Sequence, residues 1–165
     1  WAGMAPDIMA VAKALGGGFP IGACLATAEA ASGMTAGAHG STFGGNPLAM
    51  AVGKAAFSII SSDEILDNVN EIAGYLKQQF AGLQERYPDV IAEVRGKGLL
   101  LGLKLVPNNR EFMGWARDEA KLLVAGGGDN LVRILAPLNI TLDEARQAVE
   151  KLETTCEFAR TKMAG

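Results

Sequence analysis

One histidine, two cysteines and a 6% share of aromatic residues are all that this 165-residue chain has of three residue classes common in functional sites. A lone histidine, His39, cannot seed a histidine metal cluster, and a histidine-based triad would have to use that residue. Cys24 and Cys156 lie far apart with no metal-ligand spacing, so reduced thiols in a cytosolic protein are expected and no metal site is. Lysine and arginine number 15 against 18 acidic residues, a formal net charge of −3, and no basic cluster stands out. That leaves no electrostatic ground for a nucleic-acid or anionic-membrane partner. No apolar run approaches the length of a membrane span. The phosphate-loop pattern Gly-x-x-x-x-Gly-Lys-Ser/Thr is missing as well, since alanine follows Gly53-Lys54 and glycine follows Gly96-Lys97.

What is present is a globular composition, with 49% hydrophobic and 20% charged residues, in a chain long enough for a real core. Pro6-Asp7 marks a boundary, and Ile8 to Leu15 is a short apolar segment that periodicity alone assigns to neither helix nor strand. Pro20 to Thr27 reads as a buried strand, and Ala28 to Gly40 as a short helix followed by an irregular connection. Asn46-Pro47 is a helix start, with a capping asparagine and a proline at the first helical position. That helix should run through Ala49, Val52, Ala56 and Ile59 to about Ser61. Asp63 is expected to cap a longer helix with a buried stripe at Ile65, Leu66, Val69, Ile72, Leu76, Phe80 and Leu83, closed by Pro88. Strands at Ile91–Val94 and Leu99–Leu105 are punctuated by Gly96 and Gly98, a helix at Glu111–Leu122 contributes Phe112 and Trp115 to the core, and a strand at Leu131–Leu135 follows. Thr141 with Glu144 is a capping box opening the last helix. A change of domain is expected between about Ser61 and Glu71.

Chemistry is suggested first by Ala-Lys-Ala-Leu-Gly-Gly-Gly-Phe-Pro-Ile-Gly-Ala, Ala12 to Ala23. Apolar neighbours favour a neutral lysine, and a neutral amine can attack a carbonyl to form a Schiff base. Gly16 to Gly18 permit a tight turn and leave space beside the amine of Lys13. Downstream, His39 to Pro47 reads His-Gly-Ser-Thr-Phe-Gly-Gly-Asn-Pro, in which hydroxyls precede a helix N-terminus, a setting suited to an anion. A Ser-Thr pair can equally satisfy its own turn.

These two motifs, with Val94–Leu103 and Gly128–Leu138, resemble the class III aminotransferases, which depend on pyridoxal 5′-phosphate (PLP), and within them most nearly the acetylornithine-type enzymes. The likeness covers nearly the whole chain and weakens around residues 104 to 125 and after Leu142. It implies an α/β fold: the C-terminal portion of a fold-type I PLP-dependent transferase, with residues 1–62 ending the large PLP-binding domain. Residues 63–165 would form the small C-terminal domain and its connecting helix. The resemblance also implies that Lys13 is the catalytic lysine that carries PLP, that Thr42 reaches the PLP phosphate of a neighbouring subunit in a homodimer with shared sites, and that Ser41 contacts the acylated substrate. The implied reaction is transamination of N2-acetyl-L-ornithine with 2-oxoglutarate in arginine biosynthesis. Alternatives are another ω-amine (succinylornithine, ornithine or 4-aminobutyrate) or a catalytically inactive fragment.

Arg133 is a candidate carboxylate clamp, with a structural ion pair as the alternative. Departures from the family pattern are the missing Asp-Glu-Val-Gln segment for the pyridine nitrogen, the ring-stacking aromatic, the Gly-Thr/Ser phosphate turn and the arginine expected on the substrate carboxylate. Ala136-Pro137 and Ala120-Lys121 replace a Pro-Pro and a glycine-containing turn. Since the chain opens at Trp1, close before a motif that the family carries well inside its sequence, a piece of a longer enzyme is expected.

Overall fold

The computed structural model describes residues 3–164. The chain divides into two compact units, Trp1–Ser62 and Asp63–Gly165.

In the first unit, β1 (Ile8–Val11) pairs antiparallel with β2 (Ala23–Ala26), from Ile8 opposite Ala26 to Val11 opposite Ala23. The undecided segment therefore resolves into a strand followed by a 3-10 turn at Lys13–Gly16. The strand expected over Pro20–Thr27 is shorter and is not buried: all four residues of β2 are exposed, because β1 is its one neighbour in the sheet. Thr27 then caps α1 (Ala28–Ala31), its hydroxyl accepting from the Ala30 amide at 3.2 Å. The helix α2 (Pro47–Ile60) starts as its cap dictates: Asn46 Oδ1 accepts from the Ala49 amide at 2.8 Å, and Pro47 supplies a first residue whose missing N–H would have had no partner.

The second unit is a four-stranded antiparallel sheet with three helices. They are α3 (Asp63–Arg86), β3 (Ile91–Lys97), β4 (Leu100–Leu105), α4 (Asn109–Asp118), β5 (Ala125–Gly126), β6 (Leu131–Leu135) and α5 (Leu142–Met163). The strand order is β3-β4-β6-β5. Strand alternation explains the core: Leu101, Leu103 and Leu105 of β4 and Val132 of β6 are buried on one face, with Ile72, Leu76, Phe80 and Leu83 of α3, Phe112 of α4 and Leu152 of α5. Each such side chain contributes roughly 1.5–3 kcal/mol by leaving water. The Cys156 thiol joins this core and is pushed up to about 12, chiefly by desolvation, which leaves it inert.

Several expectations shift here. Asp63 is the first helical residue of α3, not its cap. Leu66 is 45% exposed: it falls one residue off the stripe set by Val69, Ile72 and Leu76. The expected helix at Glu111–Leu122 is Asn109–Asp118, set by Asn108, whose Oδ1 accepts from the Arg110 amide at 2.9 Å. Trp115 packs against the core but is only partly buried. Past α4, Lys121 adopts φ 54°, the left-handed region that favours the glycine the family pattern would place nearby. The two-residue strand β5 escaped the sequence pattern altogether. It is held by the turn at Asp129 (φ 56°) and Asn130 (φ 54°), a primed hairpin turn in which both central residues need positive φ. Asn130 also stitches distant elements: its Nδ2 donates to the Leu105 and Pro107 carbonyls at 2.7 and 2.9 Å, and its Oδ1 accepts from the Asn109 amide at 2.9 Å.

The β3–β4 hairpin depends on one glycine above all. Gly96 sits at φ 117°, and a Cβ there would stand 2.1 Å from the Leu100 carbonyl oxygen. Gly96→Ala should therefore lower the unfolding free energy of this unit by about 3 kcal/mol or more, read from a urea melt. An unchanged midpoint would show that the hairpin can shift to admit the methyl group.

Candidate cofactor and substrate site

Lys13 opens the 3-10 turn between β1 and β2, and its side chain is exposed. The apolar residues beside it in sequence do not bury the amine in this chain. Its backbone lies at φ 57°, which a residue with a Cβ adopts only when its surroundings hold it there. The turn closes on the Ala14 carbonyl, which accepts from the Gly17 amide at 3.0 Å, and Gly17 follows at φ 56°. This turn packs against α2: a Cβ on Gly17 would lie 3.5 Å from the Ala56 Cβ.

Ser41 and Thr42 lie in the loop before the N-terminus of the same helix. They divide the alternatives between them. Ser41 Oγ accepts from the Gly44 amide at 3.0 Å, so this hydroxyl serves its own turn while keeping its proton and a second lone pair. Thr42 is exposed, and among the described residues its hydroxyl has no hydrogen-bond partner. The loop is then locked onto the helix by Asn46, whose Nδ2 donates to the Phe43 carbonyl at 2.7 Å while its Oδ1 caps Ala49. The two halves of the site are thus anchored at separate points of α2: the Lys13 turn on its middle, Thr42 beyond its N-terminus. No hydrogen bond joins Lys13 to Ser41 or Thr42 among the described residues.

This donor set fits PLP in part. An exposed primary amine suits the aldehyde, and an uncommitted hydroxyl before a helix N-terminus suits the phosphate. His39 is exposed, and no group of three or more His, Cys, Asp or Glu side chains gathers among the described residues.

Arg133 stands on β6 opposite Gly102 of β4. Its Nε donates to the Gly126 carbonyl at 3.1 Å, and it forms no ion pair among the described residues. The ion pairs on this sheet belong to its neighbours. Arg95 reaches Glu93 at 2.7 Å and Asp129 at 2.8 Å, and Lys104 reaches Asp129 at 2.9 Å. Lys104 and then Arg95 hold the Asp129 carboxyl below its ordinary value. Ile21, which lies within the Ala12–Ala23 motif, and Gly53 pack behind the Lys13 turn; no motif marks Gly53, although a glycine inside a helix is itself a packing signal.

Solved aminotransferases share this fold. N-acetylornithine aminotransferase from Stenotrophomonas maltophilia matches with a TM-score of 0.81 and 35% identity, over 98% of this chain and 42% of that one. Ornithine aminotransferase from Toxoplasma gondii, described with PLP at partial occupancy in its active site, matches with a TM-score of 0.88 and 26% identity, over 97% and 39%. The chain belongs to the family Aminotransferase class-III, whose pattern matches residues 1–156. Acetylornithine aminotransferase 2 of Caulobacter vibrioides is 69% identical over 99% of this chain. The chain spans about 40% of the length of that relative.

The two hydroxyls should respond differently to removal. Ser41→Ala is expected to lower stability by about 0.5–1.5 kcal/mol through the lost Gly44 hydrogen bond, while Thr42→Ala leaves it within about 0.5 kcal/mol. Thermal melts of the two variants check this, and equal losses would contradict it.

Proposed function

We propose that this chain is the C-terminal portion of a cytoplasmic enzyme of arginine biosynthesis. The enzyme transfers the terminal amino group of N2-acetyl-L-ornithine to 2-oxoglutarate. The observation that carries the reading is 69% identity to an acetylornithine aminotransferase along 99% of the chain. Residues 1–62 belong to its large PLP-binding domain and 63–165 to its small domain.

When bound, PLP supplies an electron sink for the electrons of the substrate carbon that bears the reacting nitrogen. Lys13 Nζ would hold the cofactor and, with substrate bound, would take the proton from that carbon and return it. Its place on a short turn, with no ion pair among the described residues to hold its proton, supports that double duty. Thr42 donates its hydroxyl proton to the cofactor phosphate of the neighbouring subunit in a homodimer, which its lack of an internal partner favours. Ser41 keeps its proton for the acyl group of the substrate, and the turn to Gly44 fixes its direction. A second donor, free ornithine, is favoured by the fold match to the Toxoplasma gondii enzyme, though at 26% identity.

In the full-length protein, borohydride reduction followed by peptide mass mapping should place the pyridoxyl group on Lys13, and kcat/KM should favour N2-acetylornithine over ornithine. Hybrid dimers of Lys13→Ala and Thr42→Ala subunits should regain activity that neither parent variant has, because one of the two shared sites is then intact. Label on Lys54 or Lys97, or hybrids as inactive as the parents, would contradict the reading.

A further inference from the structure

We infer that Ile21 and Gly53 are positioning residues for Lys13; the inference rests on Lys13 being the cofactor lysine. Among the described residues of the first unit, only Gly16, Ala49 and Gly53 are buried. Two of these three meet a single side chain. Gly16 ends the 3-10 turn that Lys13 opens, and a Cβ on it would stand 2.6 Å from Ile21 Cγ2. A Cβ on Gly53, in the middle of α2, would stand 3.2 Å from Ile21 Cδ1 and 4.0 Å from the Leu15 carbonyl oxygen. Ile21 is therefore a wedge between the lysine's turn and the helix, with one branch against each glycine.

The wedge matters because the turn has little else to hold it. Its hydrogen bonds are local, Leu15 amide to Ala12 carbonyl at 3.3 Å and Gly17 amide to Ala14 carbonyl at 3.0 Å. Yet Lys13 is kept in the left-handed region at φ 57°. A conformation that a lysine does not choose for itself has to be imposed by packing, and the packing behind this turn is Ile21 on Gly16 and Gly53, with Gly17 facing Ala56. Gly53 is also an odd choice for stability, since alanine is the better residue inside a helix. Alanine there would push Ile21, and Ile21 has no slack on its Gly16 side. The glycine preserves the position of the amine at the expense of the helix.

The test uses the full-length protein and the variants Gly53→Ala, Ile21→Val and their combination. Ile21→Val deletes the Cδ1 atom that the new methyl group would meet. Two quantities are read: the rate at which the apoprotein captures PLP on Lys13, trapped by borohydride and counted by peptide mass, and the thermal midpoint. Gly53→Ala should capture PLP roughly tenfold more slowly, since misplacing a reacting group by a few tenths of an ångström is felt in rate. Its thermal midpoint should stay close to the parent's, because the better helix propensity of alanine offsets the cost of the tight Ile21 contact, and the combination should return capture to within about twofold of the parent. Capture at the parent rate in Gly53→Ala, a combination no better than that single variant, or a midpoint that falls in step with capture would overturn the inference. Pyridoxyl label on another lysine in the parent would overturn the cofactor assignment along with it, and the mass map tells the two failures apart.

Discussion

Burial of one face of β4 is the constraint on which the second unit depends. Leu101, Leu103 and Leu105 point to that face by the two-residue period of a strand, and the apolar stripes of α3 and α5 join them in one core. From this follow the strand order, with β4 inside, and the chemistry of the opposite face, where Lys104 joins Arg95, Glu93 and Asp129 in ion pairs. Gly96 and the Asp129-Asn130 turn are the local concessions that let strands of this register close into hairpins.

The first unit is organised differently. It buries glycines and one alanine, while Ile8, Leu25, Phe43 and Phe57 are exposed at 61%, 50%, 81% and 58%. Its order comes from caps and turns: Asn46 on α2, Thr27 on α1, Ser41 on Gly44. Such short-range devices hold individual loops well, and those loops carry the proposed functional side chains.

Legibility in the sequence follows the range of the interaction concerned. Asn46-Pro47 and the Thr141/Glu144 box were readable because a cap needs only residues three apart. The α3 stripe was readable from its period, except Leu66, where one apolar residue off the stripe has the same composition but faces water. Which strands flank β2 was not readable, because a local apolar run does not specify its neighbours. Neither was β5, two residues long and held by Asn109 and Asn130 across 18 to 25 positions. Within the candidate site, the motifs drew attention to Lys13, Ser41 and Thr42, but not to the left-handed backbone of Lys13 or the unequal partnering of the two hydroxyls. Both are properties of conformation, and the residue letters do not encode them separately.

The central claim is that the cofactor meets this chain in its first unit, at the Lys13 turn and the loop before α2. Hydrogen–deuterium exchange of the full-length apoprotein, with and without PLP, addresses it most directly. The account predicts that PLP slows exchange at the amides of residues 13–18 and 42–46 while leaving the already protected core of β4 and α5 unchanged. Protection confined to residues 63–165, or none at the Lys13 turn, would contradict it.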